Sequence, residues 1–304
     1  MHVALATPWR DGQLDEPGLD SLIERVLAGG VKGVCPLGST GEGTRLAAAD
    51  RLAVLEAVRG RVPAATPVIP APSVLNLRDT AAEIDAMAAR GADAVLVTSP
   101  SYYPASADEV RSAYEMLADA APVPVVLYNM PAMTKVSIAP GVVGELAEHP
   151  RIVGIKDSSR DFEYFRAVRY ATREAHDFAQ LTGSDTLLVE SLRIGGSGTI
   201  AASANLVPEL STELFTAAAR GDWTAAEAVQ QRLFDVVVAC RAAGGTAGWK
   251  AAIELAGTCS GAPVPPGVPP AEADVRHLRY RLAQLGVLDG SEHPAPTMPT
   301  AAAR

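Results

Sequence analysis

The sequence predicts a (β/α)8 barrel that carries a C-terminal helical extension. Across 304 residues, short runs rich in Val, Ile and Leu alternate eight times with amphipathic stretches. The runs lack polar alternation, as parallel strands covered on both faces require. After residue 205 the alternation stops and only helical patterning remains. Eight strand–helix units in this length fit a closed barrel better than an open doubly wound sheet. The nucleotide-binding version of that open sheet is further disfavoured because no Gly-x-Gly-x-x-Gly follows the first strand.

In chain order, strands are expected near 3–6, 32–36, 67–71, 93–98, 123–128, 152–156, 178–181 and 197–201. Helices are expected near 17–29, 46–59, 76–90, 106–120, 139–148, 161–174, 184–194 and 208–219. Several boundaries have local causes. Gly91, in Ala-Arg-Gly-Ala-Asp, ends one helix and turns toward a strand. Pro140 suits a first helical turn, where a missing N–H costs nothing. His149-Pro150 closes that helix. Three further helices follow, near 223–242, 247–257 and 271–286, the last preceded by the Pro-rich stretch 262–270. The expected organisation is therefore 1–205 for barrel strands and catalytic loops, 206–287 for the last barrel helix and the extension, and 288–304 for a mobile tail poor in large apolar side chains.

Composition narrows the function. Acidic residues outnumber basic ones, 35 to 26, for a net charge of −9. That argues against nucleic acid or an anionic membrane as partner, while a local pocket can still oppose the global sign. The three cysteines, Cys35, Cys240 and Cys259, are odd in number and widely spaced, which suits reduced thiols in a cytoplasmic protein. No Cys/His cluster has zinc spacing, so no metal is expected. No apolar run approaches the ~20 residues of a membrane span, and no signal-type segment opens the chain.

The chemistry centres on Lys156. The chain has only four lysines against twenty-two arginines. One of the four ends the apolar run Ile152-Val153-Gly154-Ile155 and is followed at once by Asp157-Ser158-Ser159. An amine delivered to a strand tip among apolar walls can lose its proton and attack a carbonyl carbon. A lysine that snorkels from the strand end to solvent is the alternative. The loop Gly38-Ser39-Thr40-Gly41-Glu42-Gly43 has the glycines and hydroxyls to surround a small anion. It is not a nucleotide P-loop, because Thr44-Arg45 replaces the required Lys-Ser/Thr pair. Tyr128, at the next strand tip before Lys156, is a candidate proton donor and acceptor. Its alternative is a hydroxyl that satisfies a backbone carbonyl. Tyr102 and Tyr103 stand between prolines in the loop after the fourth strand.

These pieces, in this order, resemble the dihydrodipicolinate synthase/N-acetylneuraminate lyase family of Schiff-base (β/α)8 enzymes. The matching stretches are Ala-Thr-Pro (6–8), GSTGE (38–42), SPSYYP (99–104), YNMP (128–131), GIKDSS (154–159), GSGTIAASAN (196–205) and WKAAIELAG (249–257). The resemblance spans about residues 3–286 and rests on their order and spacing together. It implies that Lys156 forms an imine with a 2-oxo acid, commonly pyruvate, and that Tyr128 shuttles protons. Gly38, Ser39 and Thr40 would hold the acid's carboxylate, and the backbone carbonyl of Ile200 would face the imine. Tyr102 would come from a neighbouring subunit to join Ser39 and Tyr128 in a hydroxyl relay, which implies a homotetramer built as a dimer of dimers. No organic cofactor is implied.

The pattern departs from the synthases at Met133, where they carry an arginine for the second substrate's carboxylate. A thioether cannot pair with a carboxylate. Pro-Ala-Met-Thr (131–134) looks instead like the lyases for sialic acid and 2-keto-3-deoxy sugar acids. Lys135 and Arg160 replace glycines usual in the family, and each is read as a solvated surface residue or as a charge at the barrel mouth. Gly183 and Ser184 open the loop after the seventh strand, to touch the substrate, to cap a helix, or both. The expected function is thus a lyase that cleaves or forms a 2-keto-3-deoxy sugar acid or related 2-oxo acid with pyruvate. The alternatives are 4-hydroxy-tetrahydrodipicolinate synthase, a keto-deoxy sugar acid dehydratase, and a binding protein that kept the barrel without turnover.

Overall fold

A computed structural model describes residues 1–288. The tail expected to be mobile lies, from 289 onward, outside the described residues. Seven parallel strands, His2–Ala4, Gly33–Cys35, Val95–Thr98, Val125–Asn129, Ile152–Asp157, Ala179–Thr182 and Gly198–Ala201, form one curled sheet. The first strand pairs with both Gly33–Cys35 and Gly198–Ala201. The eighth position is filled by residues 67–71. Val34 N donates to Pro67 O, Ile69 N to Val34 O, and Ala71 N to Pro36 O, at 2.9, 2.9 and 3.1 Å. On the other side, Asp93 N and Leu96 N donate to Val68 O and Pro70 O at 2.9 Å each. These bonds close the barrel. Pro67, Pro70 and Pro72 supply no N–H, so the segment makes a bridge at Val34–Val68 rather than a full ladder.

The helices lie where the apolar periodicity placed them, within a few residues. Their starts have visible causes. Asn76 accepts from Asp79 N at 2.9 Å, Asp161 from Tyr164 N at 3.0 Å, and Asp222 from Ala225 N at 3.0 Å. Ser106 and Glu109 form a reciprocal capping box. Pro140 and Pro208 occupy first turns. The stretch expected as one helix over 184–194 divides into a 3-10 turn, Asp185–Leu187, and a short helix, Leu188–Arg193. Three features were not anticipated. Trp9–Arg10 and Gln13–Leu14 form a small hairpin across Asp11-Gly12, both left-handed. Pro131–Thr134 is a single helical turn, and Gly43–Arg45 is a 3-10 turn.

Apolar side chains form a core between the strands and the barrel helices. A smaller cluster fills the barrel interior, including Ala4, Cys35, Ile69, Leu96, Tyr128, Leu181 and Ile200. The helices Trp223–Ala242, Thr246–Leu255 and Glu272–Gln284 share a further core with Pro208–Ala219 and with Leu188 and Val189 of the barrel. Among the described residues no helix is long and apolar enough to cross a membrane.

Candidate active site

Strand register brings the two main candidates together. Tyr128 and Lys156 are direct partners on adjacent parallel strands. Lys156 is 4% exposed, and its Nζ lies over the Tyr128 ring, 4.4 Å from the centroid. Lys156 therefore does not snorkel to bulk water. From the loop after Gly33–Cys35, Ser39 Oγ reaches to 3.4 Å from the Tyr128 hydroxyl. Ile200 and Cys35 are buried in the same interior cluster. Cys35 Sγ donates to Ile69 O, and burial pushes the thiol up to about 11 against the downward pull of the Lys156 charge.

Gly183 meets Lys156 from the other side. A Cβ built on it would stand 2.0 Å from Ser158 Oγ and 2.8 Å from Lys156 Cε, so only glycine leaves the lysine stem its place. Gly183 N donates to Asp157 O, fixing that approach. Ser184 occupies an N-cap position but does not cap with its side chain; its hydroxyl pairs with Thr186 Oγ1 at 3.1 Å. Helix capping is therefore not what its hydroxyl does.

The loop 37–43 is coiled tightly. Leu37 and Glu42 are left-handed, with φ of 66° and 53°. Gly43 cannot be replaced without collision, since a Cβ there would fall 2.0 Å from Leu37 O. Thr7 Oγ1 donates to Gly41 O at 2.7 Å, tying the loop to the end of the first strand. Gly38, Ser39, Tyr128, Met130, Met133 and Thr134 line a cavity of about 340 Å³ with Arg45 and Glu42. Met133 is 57% exposed on the turn Pro131–Thr134, and Lys156 is not among the residues that line this cavity. Thr40 is half-buried in the loop beside Ser39.

Tyr102 is not part of this assembly within one chain. It is 86% exposed, left-handed at φ 85°, and packs edge-on against Tyr103. Among the described residues it donates to neither Ser39 nor Tyr128. Lys135 and Arg160 are both left-handed, at φ 60° and 62°, the backbone conformation a glycine adopts without strain. Lys135 Nζ donates to Ala132 O at 2.7 Å, which caps its own turn.

Two buried carboxylates lie near Lys156, Asp157 at the end of its own strand and Asp185 in the turn after the next strand. Asp157 is raised by burial, against hydrogen bonds from Asn129 Nδ2 at 2.8 Å and from Ser159. Asp185 is likewise raised by burial, opposed by Ser203 Oγ at 2.6 Å and by the charges of Arg241 and Lys156. One buried ion pair was not anticipated. Lys250 Nζ, from helix Thr246–Leu255, donates to Glu42 Oε2 at 2.6 Å and to Thr7 O at 3.0 Å. Burial lowers Lys250, and Glu42 opposes that shift. The signal was a second lysine on an apolar helical stretch in a lysine-poor chain. Among the described residues no cluster of three or more His, Cys, Asp or Glu side chains is placed to hold a metal ion.

The profile of the Dihydrodipicolinate synthetase family matches residues 1–285. The chain belongs to that family. A 4-hydroxy-tetrahydrodipicolinate synthase of Phenylobacterium zucineum is 35% identical over 293 residues, 94% of this chain and 96% of its own. Among solved structures, YagE, a prophage protein of the dihydrodipicolinic acid synthase family from E. coli K12 in complex with pyruvate, has a TM-score of 0.90 at 32% identity. It covers 94% of this chain and 98% of its own. The dihydrodipicolinate synthase of Bacteroides thetaiotaomicron gives 0.88 at 31% identity, covering 93% and 97%. The family and the barrel expected from the sequence are both borne out.

Proposed function

We propose that this family member is a class I pyruvate-type lyase in which Lys156 forms an imine with the keto carbon of a 2-oxo acid. The observation that carries the reading is the buried Lys156 amine against the Tyr128 ring, with Ser39 at the phenol's hydroxyl. The amine attacks the keto carbon, a C–N bond forms, and water leaves. The protonated imine then accepts the electron pair released when the C3–C4 bond breaks or a C3 proton departs. The enamine so formed takes a proton or an aldehyde carbon at C3, which restores the protonated imine, and hydrolysis of that imine frees the product and the amine. Tyr128 moves protons to and from the oxygen atoms. Gly38, Ser39 and Thr40 hold the carboxylate of the 2-oxo acid, the Ile200 carbonyl faces the imine, and Met133, Gly183 and Ser184 meet the remainder of the substrate.

The exposure and left-handed backbone of Tyr102 support a second copy as its place of work, where it completes the relay with Ser39 and Tyr128. A homotetramer made of two such dimers, acting in the cytoplasm without an organic cofactor, is the assembly we infer.

The preferred partner reaction is cleavage or formation of a 2-keto-3-deoxy sugar acid, because Met133 stands where the synthases carry their arginine. A second reading, 4-hydroxy-tetrahydrodipicolinate synthase, is favoured by the name of the relatives at about 35% identity. Incubation with pyruvate and borohydride should leave a reduced adduct on Lys156 by peptide mass spectrometry. An unmodified Lys156 under conditions that label an authentic class I aldolase rules the imine out. Turnover of pyruvate with aspartate semialdehyde, and none with hydroxyaldehydes, would move the assignment to the synthase.

A further inference from the structure

The cavity in front of Tyr128 has two charged residues on its wall, Arg45 and Glu42. Both belong to a cluster of three. Glu42 Oε2 accepts from Lys250 Nζ at 2.6 Å and from Val264 N at 3.1 Å, while Oε1 accepts from Arg45 Nη1. Lys250 and Glu42 are almost fully buried. The carboxylate is thus already compensated from beneath by Lys250. Two cations around one anion leave a formal surplus of one positive charge, at the wall of a cavity in a chain whose total is −9.

Arg45 is held in place yet stays accessible. Its side chain is 40% exposed. Its bond to Glu42 uses Nη1, and among the described residues Nε and Nη2 donate to no protein group. Gly267 makes room for it, since a Cβ there would stand 2.3 Å from Arg45 Nη1. A guanidinium with unused N–H groups, fixed by a buried carboxylate at a cavity wall, is arranged to receive a carboxylate. On the same wall Met133 presents only a thioether.

We propose that Arg45 is a specificity-determining residue that binds a second carboxylate, one carried by the part of the substrate remote from the imine carbon. The proposal rests on the reading of Lys156 as the imine-forming amine and of Ser39 and Thr40 as holders of the first carboxylate. Among the 2-keto-3-deoxy sugar acids this selects the diacids, assembled from or cleaved to pyruvate and an aldehyde acid. Lys250 and Glu42 are positioning residues; they hold Arg45 and the loop without touching the substrate.

The test compares two four-carbon acceptors with pyruvate as donor, succinic semialdehyde and butyraldehyde, in the full-length wild-type protein, Arg45→Gln and Arg45→Lys. The wild type is expected to favour the charged acceptor at least tenfold in kcat/KM. Arg45→Gln should lower that ratio at least fivefold, with Arg45→Lys between the two because it keeps charge but not the fork. A wild-type ratio below tenfold, or a ratio in Arg45→Gln reduced by less than fivefold, overturns the proposal. Should Arg45→Gln fail to fold, Arg45→Lys decides alone, with a fall of twofold or more required. Borohydride trapping of pyruvate on the wild type is run first. Its failure removes the imine reading itself and is recognised before any acceptor is tried.

Discussion

Tyr128 and Lys156 are direct cross-strand partners, and the lysine Nζ lies 4.4 Å from the centre of the tyrosine ring. The ring meets the lysine Nζ, while the hydroxyl lies 3.4 Å from Ser39 Oγ. Tyr128→Phe separates these two contributions. The phenyl ring should keep Lys156 in place, so thermal stability should stay near wild type. Loss of the hydroxyl proposed to move protons should lower kcat by about 10²–10⁴-fold, the usual scale of general acid–base catalysis. Steady-state kinetics with a melting curve checks both, and a kcat within threefold of wild type would remove Tyr128 from the proton path.

Gly183 is predicted to be a spacer for the amine proposed to form the imine. Gly183→Ala places a methyl group within 2.8 Å of Lys156 Cε and 2.0 Å of Ser158 Oγ. Borohydride trapping of pyruvate should slow at least tenfold. In a Ser158→Ala background the first collision remains and only the second is relieved, so the double variant should stay slow. Wild-type trapping rates in that background would show that the lysine stem yields freely.

Lys250→Met should destabilise the fold by up to roughly 3–5 kcal/mol, because it leaves buried Glu42 with only the partly exposed Arg45 as countercharge. Removing both charges in Glu42→Gln/Lys250→Met should recover most of that loss, since apolar or neutral replacements of a buried pair are often tolerated. Urea unfolding midpoints of the two variants decide the matter. A double variant as weak as the single one would mean that packing, rather than charge, holds this corner.

Asp185 provides a pH test. Burial raises its folded value above the ordinary 3.8. Between 3.8 and the raised value, the native state keeps a proton that the unfolded chain has released, so stability falls as pH rises. The contribution of Asp185 is fully present below pH 3.8 and is lost as pH climbs through the folded value. Asp185→Asn keeps an acceptor for Ser203 Oγ but cannot titrate. Its stability relative to wild type should therefore increase from pH 3.5 to pH 7 in urea titrations. A constant difference across that range would show that Asp185 is ordinary in the folded protein.

The barrel was legible because its strands are short apolar blocks whose edges carry Gly, Pro or polar residues; the lysine strand ended one residue beyond the 152–156 expected. Lys156, Tyr128 and Ser39 were legible because each ends an apolar run or opens a loop after one. The hairpin over 9–14 had its signal in Asp11-Gly12, but strands of two residues leave no periodicity to detect. The turn Pro131–Thr134 was equally short, although Pro131 stands at its first position. The Lys250–Glu42 pair joins positions 208 apart in sequence, and no local pattern announces a contact between an apolar helix and a glycine-rich loop. Tyr102 shows a different limit: its motif was readable, and its neighbour is another molecule in the reading proposed above.

The proline-rich stave at 67–71 gives the barrel a seam. Pro67, Pro70 and Pro72 cannot donate to its neighbours, and the chain runs straight on through Ser73, Val74 and Leu75 to form one side of the pocket. Lys156 sits three staves away around the ring. The proline-rich side of the pocket and the lysine strand thus occupy separate panels of the wall. Under the imine reading proposed above, substitutions along 71–75 should reshape the pocket while the lysine strand is left alone.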